Sequence, residues 1–374
     1  MLHLPERLPF DPPDPRKLPA PPGEIFRRRR RVQTLLAQCH GLDRDRFSEV
    51  LQEIMLHGVE ALPDLRAAIA GSDPQAAVLA RALVRALVPD EIGAQLATGL
   101  RQADPHFPVE LGALLISRLS DPELPVERAL AEIDALAQRA ARHIAASLGT
   151  PLTNEFLTAK ALDVLFRLGE FWKTEGFRGN VDDYYDPRNS WLNHVLERKT
   201  GLPITLSILY IALCRRLGLH AEGVGMPWHF IVRVEVATQG AHGYLFIDPF
   251  HGARPLDLDD CRQLVESGGR KFDPEEHLQA VGAAEILARM CNNLLAVFDH
   301  HKQPVEAERV ATVMLRLNPQ DPVPRMIRAE RRLRRGEHRK AREDLRIVLQ
   351  LAPHGPIAVA ADKMLQRIEY DHPF

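Results

Sequence analysis

"GLPITLSILYIALCRRLGL", residues 201–219, is the longest apolar helical signal in the chain, and "GMPWHF" (225–230) follows it almost at once. A histidine flanked by tryptophan and phenylalanine suggests a site, and the helix before it is the element such a site leans on. Just beyond, Phe230, Val232 and Val234 alternate with Arg233 and Glu235, the period of a strand. A second short run, Tyr244 to Ile247, follows the turn-rich connector "ATQGAHG", so the spacing predicts an antiparallel hairpin. A turn centred near 239 pairs residues whose numbers sum to about 478, and His229 with Asp248 gives 477. The two are expected as neighbours. A carboxylate beside an imidazole fixes its tautomer and stabilises its cation, which is the orienting half of a nucleophile–base–orienter triad. A structural His–Asp hydrogen bond at a strand end has the same spacing.

Upstream, "EGFRGNVDDYYDPRNSWL" (175–192) has the Gly, Asn, Asp and Pro density of a long loop, with two tyrosines and a tryptophan that need burial. From Phe26 to about Ile144 the pattern is helical. In "SDPQAAVLARALVRALVP", Ser72 or Asp73 is the N-cap, Pro74 lies in the first turn and Pro89 is the terminator. "SDPELPVERALAEIDALAQRA" repeats that start chemistry at Ser120 to Pro125, with Val126, Leu130, Ile133 and Leu136 on one buried face. Arg27 to Arg31 read as the solvated start of a helix with Phe26, Val32, Leu35 and Leu36 as its apolar face, a nucleic-acid patch being the alternative. Residues 1–22, with eight prolines, have the composition of a disordered or clamped tail.

The whole chain of 374 residues is long enough for two or three domains. Its 48 Lys plus Arg nearly balance 50 Asp plus Glu, which argues against long-range attraction to nucleic acid or membrane. The four cysteines, Cys39, Cys214, Cys261 and Cys291, include no Cys-x-x-Cys pair, so neither a zinc knuckle nor a disulfide framework is expected, and a reducing cytoplasm fits. The first twenty residues lack an apolar signal core, and the longest uncharged run, Thr200 to Cys214, is shorter than the ~18 residues of a membrane span.

The C-terminal region carries an internal period of 34: Leu315 over Leu349, Leu317 over Leu351, Pro319 over Pro353 and Ala307 over Ala341. That is the length of a tetratricopeptide unit of two helices, and so short an array must pack on a neighbouring core to be stable. Between Arg325 and Arg346 ten Lys or Arg stand against four Asp or Glu, a local charge of about +6. Solvated helix faces account for it; a groove for acidic peptide or nucleic acid is the functional alternative.

The stretch "DDYYDPRNSWLNHVLERKTGLPITLSILYIALCRRLGL…GVGMPWHFIVRV…LFIDPFHG" resembles the transglutaminase-like superfamily, in particular the bacterial SirB-type proteins that join such a core to tetratricopeptide repeats. The resemblance covers about residues 108–365, and a related segment occurs in some eukaryotic F-box proteins. It implies an α+β chain: a helical N-terminal region over 23–107, a transglutaminase-like (papain-like) core with an antiparallel sheet over 108–275, and tetratricopeptide-like hairpins over 276–374. In active members a nucleophilic cysteine opens a helix in a Gly-x-Cys context, about fifteen residues before a Leu-Gly pair; histidine and aspartate follow on adjacent strands. His229 and Asp248 match those two. Counting back from Gly218 reaches Pro203, which has neither a thiol nor an N–H.

Among possible substitutes, Cys214 is ~16 Å along the helix from its start and reads as a core thiol. Thr205 and Ser207 are nearer, but no nucleophile elbow surrounds them. "GVGMPW" lacks the third glycine of a dinucleotide fingerprint, and its glycines read as allowing a tight strand start; "DHHKQ" (299–303) reads as a solvated interhelical turn, with metal binding the alternative, and "DDYYD" (182–186) as part of the aromatic loop, with cation binding the alternative. No cofactor or metal is expected. The implied function is that of a cytoplasmic, non-catalytic interaction or regulatory protein, with a protein or peptide partner on the C-terminal repeats. The alternatives are a hydrolase or acyl-transfer enzyme using His229 as base and, more weakly, nucleic-acid binding through the arginine-rich helices.

Overall fold

Every residue from Pro203 to Cys214 is buried in the computed structural model, which describes residues 32–36, 44–103, 107–238 and 241–371. The opening stretch is a helix covered on all sides, which is why it carries apolar side chains on every face. Residues 1–22 and Arg27 to Arg31 lie outside the described residues.

The chain divides into two compact units, residues 1–87 and 88–374. The first holds α1 (Arg44–Leu56), α2 (Leu62–Ala70) and the start of α3 (Pro74–Ala103). Val32, Leu35 and Leu36 of the expected apolar face are buried, with Ile54, Leu62 and Leu65. Asp73 caps α3 by accepting hydrogen bonds from the backbone N–H groups of Gln75 and Ala76. Pro89 does not terminate α3, which continues to Ala103. A proline inside a helix costs about 3 kcal/mol, and the burial of Val88, Ile92 and Leu96 around it outweighs that locally.

In the second unit, α4 (Val109–Ser117), α5 (Val126–Leu148) and α6 (Asn154–Thr174) precede the two-residue strand β1 (Arg178–Gly179). The start of α5 differs from expectation: Pro125 is its N-cap without a side-chain bond, and Asp121 instead accepts from Glu123 in the preceding turn. Next come α7 (Leu192–Arg198), β2 (Thr200–Gly201), which pairs in parallel with β1, and the buried helix α8 (Pro203–Arg216). Gly218 leaves α8 with φ +83, the left-handed exit that favours glycine. Arg216 fastens its C-terminal end, donating to Glu110 of α4 and Asp134 of α5 at 2.6 Å each.

The strands β3 (Ala221–Met226), β4 (His229–Thr238), β5 (Ala241–Asp248), β6 (Arg254–Leu256) and β7 (Ala280–Val281) form an antiparallel sheet in the order β6-β5-β4-β3-β7. Between β6 and β7 lie α9 (Leu258–Ser267) and the single-turn α10 (Pro274–His277). The expected hairpin is β4–β5, but its strands run further than the alternation suggested, to Thr238 and from Ala241. Val232 opposes Ile247, so opposed residues sum to 479 rather than 478. Helix α8 packs against β3 and β4 on one side and against α4, α5 and α7 on others. The face of the sheet lined by Val224, Met226 and Ile231 is closed by Cys261 and Val265 of α9.

Helices α11 (Ala283–His300), α12 (Pro304–Leu317), α13 (Pro322–Arg334), α14 (His338–Leu351) and α15 (Pro356–Asp371) complete the chain, each packing on the next. The starts of α12 and α14 are 34 residues apart, as are those of α13 and α15. Ala307 and Ala341, each the fourth residue of its helix, are fully buried, which lets the backbones cross closely. The basic stretch is not simply a solvated face: Arg325, Arg328 and Arg332 converge on the buried carboxylate of Asp344, Arg331 pairs with Asp299 and Arg335 with Glu308. Among the described residues no helix is long and apolar enough to cross a membrane.

Candidate functional site

Strands β3 and β4 are joined by a two-residue turn, Pro227–Trp228, closed by the pair Met226 and His229. His229 is therefore the first residue of β4. Trp228 has φ +62, a conformation rare for a bulky side chain, and is 81% exposed. Beneath the turn the glycines of "EGVGM" make room: a Cβ at Gly223 would stand 2.7 Å from the Phe230 ring, and one at Gly225 2.9 Å from the Arg289 guanidinium. Arg289 of α11 donates to the carbonyl oxygens of His229 (2.7 Å) and Met226, fixing the turn from below.

Asp248 ends β5 and is fully buried. Its Oδ1 accepts from the backbone N–H of Phe250 (3.0 Å) and of His251 (3.3 Å). Its Oδ2 accepts from two imidazoles, His229 Nε2–H at 2.9 Å and His251 Nδ1–H at 2.7 Å. Burial works to raise the carboxyl pKa, but the hydrogen bonds and charges of the two histidines outweigh it, and Asp248 is held below the usual carboxylate range. The turn carrying His251 is anchored from outside: Trp172 Nε1–H donates to Pro249 O (3.1 Å) and Gly179 N–H to Phe250 O (2.9 Å). A Cβ at Gly179 would fall 2.4 Å from the Phe250 ring, so only glycine fits there. The side chain of His229 is 10% exposed and that of His251 49%, so the cluster opens to solvent on the His251 side.

The structure thus brings His229 and Asp248 together. The other candidate residues are occupied elsewhere. Pro203 is the buried first residue of α8. Thr205 is fully buried; its Oγ1 donates to Asn189 O (2.8 Å) and accepts from Leu202 N–H (3.0 Å), capping the helix. Ser207, also fully buried, donates to Phe230 O (3.2 Å) and ties α8 to β4. Burial drives the Cys214 thiol far above its ordinary pKa, the opposite of what a nucleophile needs. Cys291 is pushed up to about 12 and Cys261 to about 11, both chiefly by burial.

The aromatic loop differs from expectation. Trp191 is buried, but Tyr184 and Tyr185 are 40% and 42% exposed. Their rings meet aromatic neighbours instead, edge to face with each other at 5.7 Å and, for Tyr185, stacked on His300 at 4.2 Å. The loop's backbone is tied from within, because Asn189 Nδ2 donates to the carbonyls of Asp183 and Tyr184. The histidines of "DHHKQ" are exposed, as expected of a solvated turn, and they also brace the loop: His301 Nε2 lies 2.9 Å from Tyr185 O. The sequence reading missed His251 and Arg289. An Asp-x-x-His spacing in "DPFH" was the available signal for the first; nothing local marks the second, which is 60 residues from His229.

Residues 127–292 match the model of the transglutaminase-like superfamily. A UPF0162 protein of Xylella fastidiosa is 40% identical over 183 residues, 48% of this chain and 64% of that protein, so the chain spans just under two thirds of this relative's length. Mouse F-box only protein 21 is 35% identical over 130 residues, 32% of this chain and 19% of its own. No solved structure matches the chain. A UPF0162 protein of Pseudomonas aeruginosa is 31% identical over 212 residues, and the match takes in 71% of its length. With the buried helix, the antiparallel sheet and the His229–Asp248 pair in place, the chain belongs to the UPF0162 family and carries a domain of the transglutaminase-like superfamily.

Proposed function

We propose that the chain is a non-catalytic transglutaminase-like protein that works as an interaction or regulatory component in the cytoplasm. The observation that carries the reading is the first turn of α8. By the resemblance Pro203 takes the position of the family's thiol, and the two nearby hydroxyls, of Thr205 and Ser207, are sealed from solvent and donate to main-chain carbonyls. A base needs an acidic proton within hydrogen-bond reach; Asp248 holds His229 Nε2, the orienting contact, but Pro203 has no such proton to offer the other ring nitrogen. In thiol catalysis the orienting carboxylate holds the histidine while the other ring nitrogen faces a nucleophile; here a second histidine takes up the same carboxylate oxygen.

The 34-residue spacing of the last four helices supports a tetratricopeptide-like array, and we assign to it the binding of a protein or peptide. Between α13, α14 and α15 lies a cavity of about 370 Å³ lined by Leu333, Met364 and Ile368 together with Glu330, Arg334 and His338, a mixture suited to an amphipathic chain. The convergence of its arginines on Asp344, Asp299 and Glu308 weighs against nucleic acid.

Amidase, esterase and γ-glutamyl-transfer assays on the full chain and on His229→Ala test the reading. Absence of turnover in both is expected; turnover by the native chain that His229→Ala abolishes would overturn it.

A further inference from the structure

We propose that His229, Asp248 and His251 form a binding site for one divalent transition-metal ion of the zinc class. Among the described residues they are the one group of three such side chains whose ligand atoms all lie within 4.8 Å of one another, and Nε2 of His229 and Nδ1 of His251 are the nitrogens that meet Asp248 Oδ2. The two nitrogen–oxygen separations are 2.9 and 2.7 Å. Ligand atoms held at about 2.1 Å by one tetrahedral ion stand about 3.4 Å apart, so both imidazoles already converge on the carboxylate to within about 0.7 Å of the spacing of neighbouring ligands.

Two imidazole nitrogens and one carboxylate oxygen are the donor set of zinc, iron(II), cobalt and nickel sites; calcium and magnesium prefer oxygen alone. Coordination needs no net change of charge on the protein. Each ring nitrogen now bonded to Asp248 gives up its hydrogen, each neutral ring takes one at its other nitrogen, and the ion occupies the space between the three donors.

The supporting shell is in place. Asp248 Oδ1 is held by two main-chain N–H groups, which leaves Oδ2 aimed at the histidines. Arg289 fixes the His229 backbone, and Trp172 and Gly179 fix the turn that carries His251. Such outer contacts are what hold a metal ligand in its orientation. Because the His251 side chain is half exposed, the remaining coordination positions face water, and the ion is exchangeable rather than sealed. This assignment does not depend on the C-terminal repeats, nor on the absence of a nucleophile.

The full chain, stripped with chelator and dialysed, is titrated with zinc(II) by calorimetry and with cobalt(II) by visible absorption. One equivalent is expected to bind, with the absorption bands of a nitrogen-ligated cobalt ion. His251→Ala, at a half-exposed position, is expected to keep its circular dichroism and lose at least about tenfold in affinity. The paired variant His300→Ala with His301→Ala, remote from the cluster, is expected to bind as the native chain does. No binding at about 100 μM ion, or binding unchanged in His251→Ala, overturns the proposal. Should His251→Ala unfold, His251→Gln is read in its place by the same criterion.

Discussion

His229 and Asp248 share a 2.9 Å hydrogen bond although they are not opposed residues of the ladder. Opposed residues of β4 and β5 sum to 479, and these two sum to 477, so they are diagonal neighbours on one face of the sheet. Diagonal positions are about 7–8 Å apart at the backbone, a gap that an imidazole and a carboxylate close together. The bond therefore depends on both side chains and not on the strand pairing alone.

Removing the carboxylate should cost stability. Asp248→Ala leaves two main-chain N–H groups and two imidazoles without their acceptor, and each buried orphan costs about 1–3 kcal/mol. A melting temperature measured in chelator is expected to fall by several degrees, at about 2–4 °C per kcal/mol. An unchanged value would mean that the cluster is not formed in solution.

Thr205 is a structural residue, and its substitution should show that. Thr205→Ala removes an acceptor for Leu202 N–H and a donor to Asn189 O, and is expected to destabilise the chain by about 1–3 kcal/mol, whereas Thr205→Ser restores most of it. Chemical denaturation of the two variants against the native chain makes the comparison.

Gly179→Ala places a methyl group where the Phe250 ring already stands. Overpacking of this kind costs about 1–3 kcal/mol, and displacing Phe250 also moves the His251 turn. Both a lower melting temperature and weaker zinc(II) binding are expected, the second read by the same calorimetry.

Asp186 gives a pH dependence. Burial works to raise its pKa, but the hydrogen bonds from the Arg188 side chain and backbone and the Arg198 charge prevail, and its folded pKa lies below the ordinary 3.8. A carboxyl depressed in the folded state adds stability that is complete above its unfolded pKa and disappears as pH falls through the folded one. Asp186→Asn is thus expected to melt lower than the native chain at pH 6, with the difference closing below about pH 4. A difference independent of pH would contradict the assignment.

In the C-terminal helices, Asp344→Ala leaves Arg325, Arg328 and Arg332 facing one another around an apolar site. Breaking a buried ionic cluster from one side costs about 3–5 kcal/mol. Proteolysis within α13 to α15 is expected to accelerate markedly, while cleavage near α8 is unaffected.

How far the sequence was legible follows from how local each signal is. Helix α8 and the β4–β5 hairpin could be read because hydrophobic period and turn chemistry are written within a few residues. The register was one step out because the strands extend through Ala237 and Thr238, whose small and polar side chains break the alternation that marks a strand. Of strand β3 only a tight start at the glycines is legible and its extent is not, since Gly223 and Gly225 answer to Phe230 and Arg289, partners that only the fold supplies. Pro89 was misjudged for the same reason: its cost is local and its compensation is tertiary. Composition points Tyr184 and Tyr185 to the interior, but their edge-to-face contact and the stacking of Tyr185 on His300 let them stay at the surface. The index arithmetic placed His229 near Asp248 because a shift of two residues preserves the face, whereas the second histidine lies past the strand end, where arithmetic of paired strands does not reach.

The chain has three tryptophans: Trp172 is fully buried, Trp191 is 4% exposed, and Trp228, at 81%, is set outward by its left-handed backbone beside His229. An aqueous collisional quencher such as iodide reaches one indole and spares two, so the accessible share of the emission reports from the turn beside His229 alone. The protein carries an intrinsic optical gauge of whatever settles there, with no dye attached and no residue replaced.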